Sequence, residues 1–184
     1  PFPSRFRPAH LTSRRISMHL RLSALYFSGT GTTAKVTSAI AYKLWQLMDE
    51  TEHKTGVSGE TDDAVNYVKA ENINFTPKQA RSKEYSFCKN DIVVFGTPVI
   101  AGRVPNVLLK FLDTLQGNGA VAIRIVLYGN RNFDDALIEL RNILEKQGFR
   151  AVAAGAFIGE HSFSYKLAAG RPDNKDMNII YEFA

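Results

Sequence analysis

What most limits the folds open to this chain is an alternation. Between residues 20 and 158, short runs that are apolar at nearly every position trade places with segments whose apolar residues recur every three or four positions. The strand-like runs lie at 20–27 (LRLSALYF), 91–95 (DIVVF), 121–127 and 151–158, with a short one at 73–75. The helix-like segments carry Val36, Ile40, Leu44 and Leu47, then Val104, Val107, Leu108, Phe111, Leu112 and Leu115, then Leu137, Leu140, Ile143, Leu144 and Gln147. Each set marks one face of a helix. A strand with no polar face must be covered on both sides, as in a central parallel sheet. Right-handed crossovers then place helices on both faces, giving a doubly wound α/β sandwich. Such sheets bind ligands beyond the carboxyl ends of their strands. Three loops should meet there: 28–33, 97–104 and 128–134.

The charge is unevenly placed. Residues 1–19 hold Arg5, Arg7, Arg14 and Arg15 and no acid, whereas the other 165 residues carry 19 basic and 18 acidic side chains. The net charge of +5 therefore belongs almost wholly to that first stretch. It gives no ground for a nucleic acid or membrane partner of the body. With Pro1, Pro3 and Pro8 and no apolar period, residues 1–19 read as an extended, poorly ordered arm of some transit-peptide character. Met18 stands directly before the first strand-like run, near a natural start. Residues 20–184 form a single expected domain, in a cytoplasmic protein. Within it the acidic stretch 49–70 reads as a surface insertion with a short helix at 62–68. The single cysteine, Cys88, excludes a disulfide framework and any four-cysteine metal site.

Ser28, Gly29, Thr30, Gly31, Thr32 and Thr33 join the first strand to the first helix. Glycine lets backbone approach a ligand, and the free amides and dipole of a helix start favour an anion. The four hydroxyls can each donate to a phosphate oxygen. Without Gly-Lys-Ser/Thr this is not a nucleoside-triphosphate loop. It is built for one terminal phosphate held by neutral donors. Two other readings stay open. Gly29, Gly31 and Ala34 also satisfy a dinucleotide fingerprint, although residues 73–76 (INFT) lack the acid that would hold a ribose. The loop could equally be a helix cap without a ligand.

At this point the chain resembles a known family. S-G-T-G-T-T (28–33) follows the flavodoxin phosphate-loop pattern Ser/Thr-x-Thr-Gly-x-Thr at every specified position. The likeness continues through VVFGTPVIAGRVPNVLLKFLD (93–113), YGNRNFDDAL (128–137) and AGAFIGEHSFS (154–164), and spans about residues 20–176. These segments look like the flavodoxin-type domain found fused to ferredoxin modules. The resemblance implies a flavodoxin-like, five-stranded parallel sheet in the order 2-1-3-4-5 with helices on both faces, the last helix, from Asp173 onward, open to truncation. It also implies FMN as cofactor.

Thr97, Pro98, Val99, Ile100, Ala101, Gly102 and Arg103 would then form one wall of a slot for the flat, largely apolar ring, with Gly102 approaching N5. Related domains commonly carry Tyr where this chain has Ile100. Tyr128, Gly129, Asn130, Arg131, Phe133 and Asp134 would form the loop that places an aromatic over the other ring face. Phe133 matches that aromatic, with Tyr128 as second candidate. Phe133 could instead pack on its own helix. Arg103 and Arg131 would flank the ring, where a cation favours the anionic reduced flavin, or be solvated charges.

His161 lies just after the last strand, on the binding edge; local hydrogen bonds are its expected role, and contact with the ring edge or a partner is the alternative. His10 and His53 lack metal-ligand companions at useful spacing. Cys88 is expected to be a small buried hydrophobe, and Tyr42 and Trp45 to cover the sheet. With no catalytic triad or carboxylate pair, the reading is an electron carrier. It would exchange electrons with a redox partner such as a ferredoxin or ferredoxin domain. The alternatives are an NAD(P)H-dependent FMN oxidoreductase and an interaction module without flavin.

Overall fold

The computed structural model describes residues 18–55, 65–164 and 166–184. Residues 1–17 of the expected arm and the acidic segment 56–64 lie outside the described residues, and residues 18 and 19 of that arm belong to the first strand.

Five strands form one parallel sheet: β1 (Met18–Tyr26), β2 (Val65–Asn74), β3 (Ile92–Pro98), β4 (Val121–Tyr128) and β5 (Arg150–Ile158), in the order β2-β1-β3-β4-β5. Four helices connect or follow them: α1 (Thr32–Thr55), α2 (Asn106–Leu112), α3 (Ala136–Lys146) and α4 (Asn174–Phe183). Side chains alternate across each strand, so one run feeds two cores. Leu22, Ala24, Val94, Ile125 and Leu127 meet Val36, Ile40 and Ala41 of α1 and Ile180 of α4. Leu25, Val93, Phe95, Ala122 and Val126 meet Leu108, Phe111 and Leu112 of α2 and Leu140 and Leu144 of α3. The doubly wound architecture is thus present as expected.

Several local expectations need correction. The stretch 49–70 is not an insertion over its whole length: 49–55 continue α1, and 65–70 begin β2. Its proposed helix at 62–68 overlaps β2, which pairs with β1 from Met18↔Val65 to Tyr26↔Asn74. An edge strand has only one neighbour and tolerates polar residues, so it lacks the apolar signature of the central strands. Between β2 and β3 there is only a turn of 3-10 helix, Ala80–Ser82. Aromatics cover the sheet there instead: the Phe75 ring lies 4.8 Å from that of Phe111 and 5.5 Å from that of Phe95. Val107 is exposed, because α2 starts only at Asn106 and turns that position outward.

Cys88 is exposed rather than buried. It sits in a turn closed by Asp91 N–H donating to the Cys88 carbonyl, and the carboxylate of Asp91 turns inward in its place. Asp91 accepts from the Cys88 amide and from Arg21, whose pKa is raised mainly by that bond. Tyr42 is half-exposed and only its partner Trp45 packs on the core. Helix α4 is formed: Asp173 accepts from the amides of Lys175 and Asp176, and Asp176 accepts from the Asp173 amide. This reciprocal cap and buried Ile180 seat α4 on the α1 face of the sheet.

Candidate functional site

Because all five strands run the same way, the loops after β1, β3, β4 and β5 emerge on one edge. They enclose a cavity of about 450 Å³, within the size range of small-molecule and cofactor sites. It is lined by Gly29, Thr30, Thr32 and Thr33 from the first loop and by Pro98, Val99, Ile100 and Ala101 from the second. Tyr128, Gly129 and Arg131 come from the third, and 159–163 from the fourth, with Phe27 and Leu127 at the floor.

The first loop is held from both sides. Ser28 Oγ accepts the Ala34 amide at 3.0 Å, so this hydroxyl caps α1 and does not line the cavity. Ser28 N–H in turn donates to Thr76 Oγ1 at 2.8 Å, which ties the loop to the end of β2. Gly31, at φ 90°, turns the chain into the helix without lining the cavity itself. Thr30, Thr32 and Thr33 remain at the cavity, beside the first-turn amides that no intrahelical acceptor satisfies. Lys35, one turn into α1, points elsewhere and donates to the Pro172 carbonyl. Among the described residues this end of the cavity therefore presents hydroxyls and backbone amides.

The second loop is a tight turn. Ile100 and Arg103 exchange both backbone hydrogen bonds, at 3.0 and 3.1 Å, around Ala101 (φ 50°) and Gly102 (φ 75°). Positive φ at both central residues belongs to the tightest two-residue turns and suits glycine. Gly102 is needed for a second reason. A Cβ there would come within 2.4 Å of Asp134 Oδ2 and 2.8 Å of Asp134 Cβ. Asp134 thus packs on Gly102, and both line a smaller recess beside the main cavity rather than the cavity itself. Thr97 is fully buried beneath the turn.

Arg103 departs from its expected place. Its guanidinium donates twice to Glu139 of α3, at 2.9 and 2.7 Å, and Glu139 also accepts the Val104 amide at 2.8 Å. Arg103 lines a groove between α2 and α3, not the cavity. A carboxylate with three donors keeps the guanidinium; an open cavity mouth offers it nothing comparable. The same bonds, those from Arg103 foremost, hold the Glu139 carboxyl below the ordinary carboxylate range. The second loop is in this way latched to α3.

Phe133 is likewise displaced. The third loop turns through left-handed conformations at Asn130 (φ 56°) and Asp134 (φ 41°), so the intervening phenyl ring swings inward. It packs on the α2/α3 core, 5.5 Å from the ring of Tyr128, and lines a separate groove with Arg124 and Leu137. Tyr128, the second candidate, does line the cavity, as does Arg131; Asn130 does not. Of the two arginines only Arg131 lines the cavity.

The loop after β5, of which the sequence singled out only His161, contributes more to the cavity. Gly159, Glu160, His161, Ser162 and Phe163 all face the cavity. The available signal was topological: a parallel sheet brings the end of β5 to the same edge as the other strand ends.

No family model and no curated protein sequence matches this chain. Solved structures show its fold. Flavodoxin 1 from Bacillus cereus superposes with a TM-score of 0.57 at 15% identity, over 89% of this chain and 93% of that one. An NADH:FMN oxidoreductase in its apo form gives 0.51 at 19% identity, over 89% and 87%. Rubredoxin oxygen:oxidoreductase from Desulfovibrio gigas gives 0.53 at 12% identity, over 91% of this chain but 35% of that protein. These likenesses define a flavodoxin-like fold. Among the described residues no helix is long and apolar enough to cross a membrane.

Proposed function

We propose that the chain is an FMN-binding electron-transfer domain of flavodoxin type. The observation that carries this reading is one cavity with two chemical ends. A cation-poor rim of Thr30, Thr32, Thr33 and the α1 amides suits a phosphate. The space continues between Pro98, Val99, Ile100 and Leu127, apolar walls of the kind a flat ring needs. The fold shared with a flavodoxin and with an NADH:FMN oxidoreductase supports the same cofactor.

FMN, when bound, supplies reversible one- and two-electron chemistry. The protein's own part is binding, orientation and exclusion of water. The Ser28 cap and the Thr76 bond fix the phosphate end. The turn at Ala101–Gly102, latched through Glu139 and backed by Asp134, holds one wall still. The exposed side chain of Ile100 at the mouth leaves the route for electrons open to a docked partner. A ferredoxin, or a ferredoxin module in the same polypeptide as the resemblance implies, is the partner we assign.

Adding FMN to the purified protein tests this reading. A one-to-one complex with a perturbed visible flavin spectrum is expected, and riboflavin, which lacks the phosphate, should bind more weakly. Absence of any complex would remove the proposal. The likeness to an NADH:FMN oxidoreductase motivates one comparison. Rapid mixing of the loaded protein with NADH and NADPH should leave the flavin colour unchanged on the carrier reading, and fast bleaching would favour an enzyme.

A further inference from the structure

Phe133, the first aromatic assigned to the ring slot, does not line it; Tyr128 does, and the structure offers a further aromatic. Phe133 is turned into the α2/α3 core and Ile100 is aliphatic, so neither lays an aromatic face on the cavity. Phe163, on the loop after β5, lines the cavity and is 92% exposed. No other large hydrophobic residue among those described is nearly as exposed; Val107, the next, reaches 61%. A phenyl ring held at the mouth of a cavity with almost nothing against it is poised to cover whatever enters.

The loop that carries it is positioned by specific contacts. Gly129 of the third loop leaves room for His161: a Cβ at residue 129 would lie 2.6 Å from His161 Cδ2 and 2.9 Å from its Cα. His161 Nδ1 then accepts the Phe163 amide at 3.1 Å, and the two rings meet edge to face at 6.3 Å. Ser164 N–H donates to the His161 carbonyl, and His161 N–H to the Leu167 carbonyl, which closes the turn behind Phe163. The loop after β4 thereby supports the imidazole, and the imidazole supports the phenyl ring.

We infer that Phe163 is a positioning residue of the ring site, the aromatic that stacks on bound flavin, with His161 as its anchor. The inference rests on the FMN reading above. It places a stacking aromatic on the loop after β5, in addition to Tyr128 at the end of β4.

The test compares wild type, Phe163→Ala and Phe163→Trp for binding of FMN and of riboflavin, with flavin fluorescence and near-ultraviolet circular dichroism recorded for each complex. Because Phe163 is almost wholly exposed, Phe163→Ala should melt with wild type. It should weaken both ligands by about tenfold, as loss of a stacked ring does, and the bound flavin should become more fluorescent. An equal loss for both ligands locates the effect at the ring rather than at the phosphate. Phe163→Trp should restore affinity and quenching. If wild type and Phe163→Ala bind FMN equally with identical fluorescence, the stacking role is wrong while the FMN reading stands. A wild-type protein that binds neither ligand overturns both. A Phe163→Ala variant altered only in its rate of electron exchange with a partner would also overturn the inference, by placing Phe163 at a docking surface.

Discussion

At the scale of single residues, the site depends on positions where a side chain would be in the way. Gly102 combines a left-handed backbone with an Asp134 carboxylate packed against its Cα. Replacing it by alanine adds a left-handed penalty of about 1 kcal/mol and a collision of similar size. Gly102→Ala should therefore lower stability by roughly 2 kcal/mol in urea unfolding and weaken FMN binding. Asp134→Gly removes the opposing carboxylate, so in that background Gly102→Ala should cost only the backbone part, about 1 kcal/mol. Equal costs in both backgrounds would show that the two residues do not press on one another. The family resemblance singled out Gly102 for close approach to a bound ring. It did not foretell Asp134 as the reason, because that contact depends on how two loops from different strands fold over the sheet edge.

Elements rather than residues explain where the sequence was readable. The central strands β1, β3 and β4 are buried on both faces, so their composition announces them. The edge strand β2 pairs on one side only, and beyond Ile73–Phe75 its polar sequence VNYVKAENIN gave no such sign. The final turns of α1 were missed for the same reason: 49–55 (DETEHKT) contain no apolar residue to mark an inner face. The turn at 28–33 was legible because adjacent residues form it. The destination of Arg103 was not, since it was decided by Glu139, distant in sequence; Phe133 lies in the α2/α3 core, in keeping with the alternative that it packs on its own helix.

The latch between the second loop and α3 carries its own prediction. Arg103 holds the Glu139 carboxyl below its ordinary value of 4.5. A depressed carboxylate stabilises the fold fully above its unfolded-state value, and that contribution disappears as the pH falls through the lower folded-state value. Glu139 is mostly buried and Arg103 mostly exposed, so solvent screening keeps the contribution modest, about 1 kcal/mol. Glu139→Gln should accordingly melt roughly 2–4 °C below wild type at neutral pH. The gap should narrow as the pH is lowered beneath the ordinary glutamate range. A gap that stays constant from neutral to strongly acid pH would mean the charge of Glu139 contributes nothing.

The whole molecule separates its charge from its site. A body with 19 basic and 18 acidic side chains exerts little long-range field, while residues 1–19 carry four arginines and no acid. Long-range attraction acts on encounter rates and is screened over about 10 Å at 0.1 M salt. Any electrostatic steering toward an anionic redox partner should therefore depend on the arginines of the first stretch, whereas cofactor binding should not. Shortening the chain to begin at Met18 keeps β1 and every cavity-lining residue. FMN affinity should then match that of the full chain. The rate of electron exchange with an acidic ferredoxin should differ: for the full chain it should fall by roughly tenfold between 0.01 and 0.15 M salt, and for the shortened chain by less than about twofold. Stopped-flow measurement of both proteins across that range decides the matter. A shortened chain with the same salt dependence as the full one would locate the steering charge in the folded body, where Arg131 at the cavity would be the first residue to replace.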